Sequence, residues 1–373
     1  MKVPLLDLKA QFRQTRSDVL SVIEAVCDEQ GFILGQRVED FETAIAAYLG
    51  CRYTVGVASG SDALLLSLMA VGLEPGDEVL TVPFTFFSTA GVVSRLQGVP
   101  VFVDIQPDTL TMDPDQIERR LTPRTKAIIP VHLFGQCANM ETIMDIANHH
   151  GVKVIEDACQ SIGASRHGCK AGTFGYAGCL SFFPSKNLGG IGDGGLVAMN
   201  DRDLRERILA LRVHGSRSDY HHDHIGLNSR LDALGAAVLH VKLRYLDGWN
   251  DKRARNAATY ERLFTDAGLG EHVTLPTTDS GNVHVFNQYT IRARARDALM
   301  AHLKERNIGH RVYYPVPLHL QECYQPLGYQ KGDLPVSERA AQEALSLPIY
   351  PELTDEQMEQ VVASIGEYYF DRA

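Results

Sequence analysis

Short apolar runs alternate with helical periodicity from about residue 52 onward. "YTVGVA" (53–58) reads as a strand and "SDALLLSLMAVG" (61–72) as a helix. "EVLTVP", "VPVFVDI", "KAIIPVHL" and "KVIEDA" read as further strands. Between them lie helical stretches at "FSTAGVVSRLQG", "DPDQIERRL" and "NMETIMDIANHHG". Helix stops are expected at Gly72, Gly98 and Gly151, because glycine adopts the left-handed C-cap conformation without a Cβ penalty. Strands apolar on both faces and separated by helices predict a mostly parallel sheet covered on both sides. "LVAMN" (196–200) reads as one more strand.

The pattern changes after Asn200. A helix is expected over 203–215, and long helices over 229–247 and 252–267. "VFNQYTIRAR" then reads as a strand, "RDALMAHLKERN" as a helix, and Thr354 as the start of a last helix. "TDEQ" (354–357) has the spacing of a capping box, in which each end of the motif satisfies the other's free N–H. The division that follows is a large domain over 1–250, with a helical N-terminal segment, and a smaller α+β domain over 251–373.

Composition narrows the function classes. The 373 residues are 45% hydrophobic and 22% charged with a formal net charge of −10, which argues against non-specific nucleic-acid binding. The seven cysteines are scattered with no C-x-x-C pair, so no zinc or redox site is expected, and reduced thiols suit the cytoplasm. No run of 18 apolar residues and no signal peptide is present, so the expectation is a cytoplasmic protein without a membrane partner. His221, His222 and His224 lack metal-site spacing, since neighbouring side chains on an extended chain point apart; no metal is expected.

Candidate chemistry concentrates in "SFFPSKNLGGIGDGGLVAMN" (181–200). Gly190, Gly192 and Gly195 satisfy G-x-G-x-x-G, but a strand follows them where a dinucleotide site needs a helix N-terminus. A P-loop places its lysine after the glycines, and Lys186 precedes them. The remaining functional reading is an amine that forms a Schiff base. Ligands of an open α/β sheet bind outside the carboxyl ends of its strands. There Asp157 follows "KVIE", Ser59–Gly60–Ser61 follow "YTVGVA", and Phe84–Phe87 follow "EVLTVP". Together with Lys186 these suit pyridoxal 5′-phosphate: hydroxyls and helix N–H groups for its phosphate, a carboxylate for its ring nitrogen, aromatics for its ring, a lysine for its aldehyde.

The ordered blocks "FILGQRVEDFE", "ASGSDAL", "VPFTFFST", "VHLFGQ", "EDACQSIGA", "SFFPSKNLGGIGDGG", "GLNSRLDALGAAVL" and "YYPVPLH" resemble the DegT/StrS nucleotide-sugar aminotransferases. The resemblance implies the type I PLP-dependent aminotransferase fold. It makes Lys186 the Schiff-base lysine and proton carrier, and Asp157 the partner of the ring nitrogen. Gln160 is placed near the phenolic oxygen, Phe86 on the ring, and Gly60, Ser61 and Ser181 at the phosphate. Asn228 would reach the phosphate from the partner subunit, implying a homodimer with shared sites. Cys159 and Gly235 stand where alanine and glutamine are usual; a glycine inside a helix costs roughly 1 kcal/mol relative to alanine.

"YHHDHIGLNSRLD" (220–232) is similar to the branch that aminates C3 of UDP-2-acetamido-2-deoxy-3-oxo-hexuronates in polysaccharide and lipopolysaccharide biosynthesis. There Arg230 would contact the sugar, with an ion pair to Asp232 as the plainer alternative. Tyr313 and Tyr314 are the other substrate-binding candidates, although that branch has His-Tyr at this place. L-Glutamate is the implied amino donor. Two other readings stay open: a 4-keto-6-deoxy nucleotide-sugar aminotransferase, and a non-catalytic PLP-binding regulator. Against the regulator, the chain offers no added segment for DNA binding.

Overall fold

The structure is a computed structural model and describes residues 2–218 and 220–370. Its centre is a seven-stranded sheet. The strands are β1 (Tyr53–Val57), β2 (Glu78–Thr81), β3 (Val99–Phe102), β4 (Thr125–Ile129), β5 (Lys153–Asp157), β6 (Ala177–Ser181) and β7 (Gly195–Met199). Their order is β1-β7-β6-β5-β4-β2-β3. Only β7 runs against the rest, pairing antiparallel with both β1 and β6. All the other strands therefore point their carboxyl ends to one edge.

Helices cover both faces, and β7 shows how the chain addresses them. Leu196 and Ala198 join a core with α1 (Leu8–Glu29), α2 (Gln36–Leu49) and α7 (Ala233–Leu243). Val197 and Met199 join the opposite core with α3 (Gly60–Ala70) and α6 (Arg202–Leu211). The period-2 alternation of a strand supplies both. The remaining helices of this part are α4 (Ser88–Arg95) and α5 (Met140–His150). Asn139 caps α5, and Gly151 ends it in the left-handed region.

A second core lies toward the C-terminus. Here β8 (Val273–Thr274), β9 (Tyr289–Ala293) and β10 (Ala344–Leu347) form an antiparallel sheet. Against it pack α8 (Leu246–Asp266), α9 (Arg296–Glu305) and α11 (Asp355–Phe370), while α10 (Pro335–Glu343) precedes β10. Helix α8 belongs to both parts: Leu246 enters a core of the large sheet, whereas Ala257, Tyr260 and Phe264 enter the second. Val3, at the other end of the chain, is also buried in the second core.

The α/β class, the parallel sheet and the helices on both faces match the sequence expectation. The capping box is present: Thr354 N donates to Gln357 Oε1 at 3.0 Å, and Gln357 N donates to Thr354 Oγ1 at 3.3 Å. Four readings need correction. The 113–121 helix is two short 3₁₀ turns, Pro114–Gln116 and Glu118–Arg120. The helix expected from 229 starts at Ala233, because Asp232 Oδ1 accepts from Gly235 N at 2.7 Å and caps it there. Gly235 therefore sits in the first turn, where its helix penalty is smaller than in an interior. At the end of α4, Gln97 rather than Gly98 takes the positive φ. Finally, β6 escaped the sequence reading. Its "AGCLS" is short and has no β-branched residue to signal a strand.

Candidate active site

Strand register builds the site. Gly195 opens β7 between two neighbours, paired with Val57 of β1 and with Ser181 of β6. A Cβ on Gly195 would lie 2.3 Å from the carbonyl of Ser59 and 2.7 Å from Gly60 N. Only glycine permits this approach. The glycine-rich stretch thus serves close backbone packing beside the N-terminus of α3.

Ser59 caps α3, accepting from Asp62 N at 3.1 Å, and leaves the first N–H groups of that helix at the strand edge. Gly60 is packed so closely that a Cβ would lie 2.8 Å from both Ser181 Cβ and Cys159 Sγ. Gly60, Ser61 and Ser181, which the sequence proposed together, are therefore neighbours. Ser88 Oγ donates to Ser61 Oγ, adding a hydroxyl that sequence reading did not single out. A helix N-terminus ringed by Ser61, Ser88 and Ser181 is a donor set of the kind that binds phosphate.

Asp157, at the carboxyl end of β5, is 6% exposed. Thr89 Oγ1 donates to its Oδ2 at 2.8 Å, and Cys159 N donates to Oδ1 at 3.3 Å. Among the described residues no cation lies within ion-pair distance of it. Thr89, in the first turn of α4, was also missed by the sequence reading, though it lies in the quoted block "VPFTFFST". Lys186 lies close enough for its charge to interact with this carboxylate. Burial pushes its ammonium below the ordinary lysine range, with the charges of Cys159 and Asp157 opposing. A desolvated amine near an unneutralised carboxylate can both attack a carbonyl and shuttle a proton.

Gln160 spans the opposite wall. Its Oε1 accepts from Phe134 N at 2.9 Å and its Nε2 donates to Tyr314 Oη at 2.9 Å. Burial holds the Tyr314 hydroxyl well above the usual tyrosine range. The Tyr314 ring packs edge-on to Phe84 at 6.1 Å and tilted against Phe86 at 6.4 Å. Phe86 is 57% exposed, so this aromatic group reaches from the protein interior to solvent. Tyr313 lies beside Tyr314, with the Arg311 guanidinium 5.8 Å from its ring centroid.

Two predicted residues are not drawn into this group. Asn228 is exposed, and its side chain bonds to none of these residues within the chain. Arg230 is half-buried and, among the described residues, has no carboxylate within ion-pair distance. The alternative pairing with Asp232 does not form, since that carboxylate caps α7.

These residues fit pyridoxal 5′-phosphate. The cradle at Gly60 has no room for a Cβ, the hydroxyls and N–H groups suit a phosphate, and the buried carboxylate has no cation within ion-pair distance among the described residues. The model of the DegT/DnrJ/EryC1/StrS aminotransferase family matches residues 13–366. The chain is 51% identical, over 99% of both chains, to a Geobacillus stearothermophilus protein named pleiotropic regulatory protein. It is 43% identical, over 97% of both, to the UDP-N-acetyl-3-dehydro-α-D-glucosamine 3-aminotransferase of Acidithiobacillus ferrooxidans. Among solved structures, S. venezuelae DesV in complex with a ketimine intermediate superposes with a TM-score of 0.95, at 41% identity and 98% coverage of both chains.

Proposed function

The chain belongs to the DegT/DnrJ/EryC1/StrS aminotransferase family, and from that premise we propose that it moves an amino group from L-glutamate to C3 of a UDP-2-acetamido-2-deoxy-3-oxo-hexuronate. It is a PLP-dependent sugar aminotransferase of type I fold. When bound, the cofactor supplies a carbonyl carbon that accepts the amino group and a ring that delocalises electrons from the broken C–H bond.

The protein's own residues account for the rest. The first turn of α3, with Ser61, Ser88 and Ser181, would hold the phosphate. Asp157, held by Thr89 and the Cys159 amide, would pair with the ring nitrogen and keep it protonated. Phe86 and Tyr314 would shield the ring, and Gln160 would lie toward the phenolic oxygen. Lys186 Nζ would take the amino donor's Cα proton as general base. It returns that proton as general acid. The same groups run in reverse on the keto-sugar, so the kinetics are ping-pong.

The observation that supports transamination is the pairing of an uncompensated buried Asp157 with the desolvated Lys186. Lys186→Ala should abolish both turnover and the visible absorbance of lysine-bound cofactor; full activity in that variant would refute the assignment. For the substrate, the supporting observation is Arg230, whose guanidinium has no carboxylate within ion-pair distance among the described residues and suits a uronate carboxylate. A panel of 3-keto and 4-keto nucleotide sugars tests this reading, and amination of only the 4-keto compounds would sink it. Arg230→Ala should lower kcat/KM for the uronate more than for the matching hexose. Equal losses would remove the carboxylate contact.

Two further elements complete the proposal. Asn228, whose side chain is exposed and has no hydrogen bond among the described residues, would reach the phosphate of a partner subunit in a homodimer. The protein works in the cytoplasm on a polysaccharide or lipopolysaccharide precursor; its seven cysteines are all unpaired, and no helix among the described residues is long and apolar enough to cross a membrane.

A further inference from the structure

The residue after the reactive lysine is held by a polar cluster that the proposed chemistry does not use. Asn187 is 2% exposed. Its Nδ2 donates to Asn250 Oδ1 at 2.7 Å and to Val285 O at 3.0 Å. Its Oδ1 accepts from Asn287 Nδ2 at 2.8 Å. Asn250, on α8, is 8% exposed and also donates from Nδ2 to Ile162 O at 3.2 Å. Gly163, next along, has φ +89°, and a Cβ there would lie 2.4 Å from that same Nδ2. The Asn250 amide is therefore confined on both sides.

The connections matter more than their number. Ile162 ends the segment that begins with Asp157 and Gln160; Asn187 follows Lys186; Val285 and Asn287 lead into β9. One side chain of α8 bridges the two loops that carry the reacting groups, and a second amide ties them to the C-terminal sheet. A surface-facing role would not require three buried amides, since each buried polar group costs free energy unless bonded.

We propose that Asn250, bonded to Asn187 and through it to Asn287, is a positioning residue: it sets the spacing between Lys186 and the Asp157–Gln160 segment and couples that spacing to the C-terminal unit. The inference rests on reading Lys186 as the reactive amine. Proton transfer at Lys186 Nζ depends on sub-ångström placement against the ring and donor. Binding of the amino donor depends on other groups. Loosening the bridge should therefore act on kcat and spare KM.

The test uses the full-length protein loaded with PLP. In Asn250→Ala, kcat should fall about tenfold to a hundredfold, while KM for L-glutamate stays within about twofold. The pH midpoint of the visible absorbance of lysine-bound cofactor should move by about half a unit or more, and cofactor should leave faster on dialysis. Asn287→Ala removes only one of these hydrogen bonds, so it serves if Asn250→Ala does not fold; its kcat should fall about threefold to tenfold. An unchanged kcat, midpoint and dialysis rate in a variant with a lowered melting temperature would overturn the proposal and leave the amides a purely structural role. Lys186→Ala separates the two readings. If it retains turnover, the lysine assignment has failed. If it is inactive while the asparagine variants are silent, only the bridge has.

Discussion

Replacing Glu156 with glutamine isolates the support beneath the site. Glu156 precedes Asp157 on β5, but the strand's alternation turns the two side chains to opposite faces. Glu156 and His132 are both fully buried. Its Oε1 accepts from Phe174 N and Gly175 N, each at 2.7 Å. Its Oε2 accepts from Gly172 N at 2.7 Å and lies 2.8 Å from His132 Nε2. Since His132 Nδ1 accepts from Ala138 N at 3.1 Å, Nε2 carries the ring proton and donates. A glutamine can keep the two bonds at one oxygen but turns an NH₂ toward the other two donors. Shifting the histidine proton only moves the deficit to Ala138 N. Two buried donors left unpaired cost about 1–3 kcal/mol each, and the surviving bonds lose their charge assistance. The expected loss is about 3–6 kcal/mol, read from denaturant unfolding of the cofactor-free protein. A Glu156→Gln variant within about 1 kcal/mol of the parent would refute this account of β5.

Other variants probe the remaining elements. Gly60→Ala places a methyl 2.8 Å from Ser181 and Cys159. Overpacking of about 1–3 kcal/mol should weaken cofactor binding about tenfold to a hundredfold, measured by titrating the cofactor-free protein; an unchanged affinity would count against the cradle. Lys242 is buried on α7, and its amine donates to Gly189 O in the lysine loop. Burial pushes its pKa from 10.5 to about 8. Between these values the unfolded chain binds more protons, so stability should rise with pH. Relative to Lys242→Met, the parent should gain roughly 3 kcal/mol from pH 8 to 10.5, and parallel curves would contradict the assignment. Mixing Lys186→Ala with Asn228→Ala subunits should restore some activity if each site draws on two chains; two inactive variants that stay inactive together would argue for independent sites.

The site was partly legible in the sequence because its groups sit at strand ends, and strand ends can be counted. Asp157, the Ser59–Ser61 turn and the phenylalanines after β2 were located by that rule alone. Lys186 acquired a role only from this company. Ser88 and Thr89 were not found: their chemistry depends on α4 swinging its first turn over α3 and β5, and a lone Ser-Thr pair carries no such signal. The Asn187–Asn250–Asn287 cluster was equally hidden. Its members are 63 and 37 residues apart in the chain, and each alone reads as an ordinary polar residue.

What the chain determined by itself was periodicity: most of the strands and helices, and therefore a mostly parallel sheet whose carboxyl edge is the place for ligands. Local chemistry also sufficed for the Thr354 capping box, since its partners lie within one turn. Tertiary structure decided what periodicity cannot encode. Register set Gly195 between Val57 and Ser181, so that a run resembling a nucleotide loop became a close backbone crossing. Burial, which depends on every packed neighbour, lowers the proton affinity of Lys186 and, among the described residues, leaves Asp157 without an ion-pair partner. Those two consequences of packing give a lysine and an aspartate 29 positions apart the character that the proposed chemistry requires.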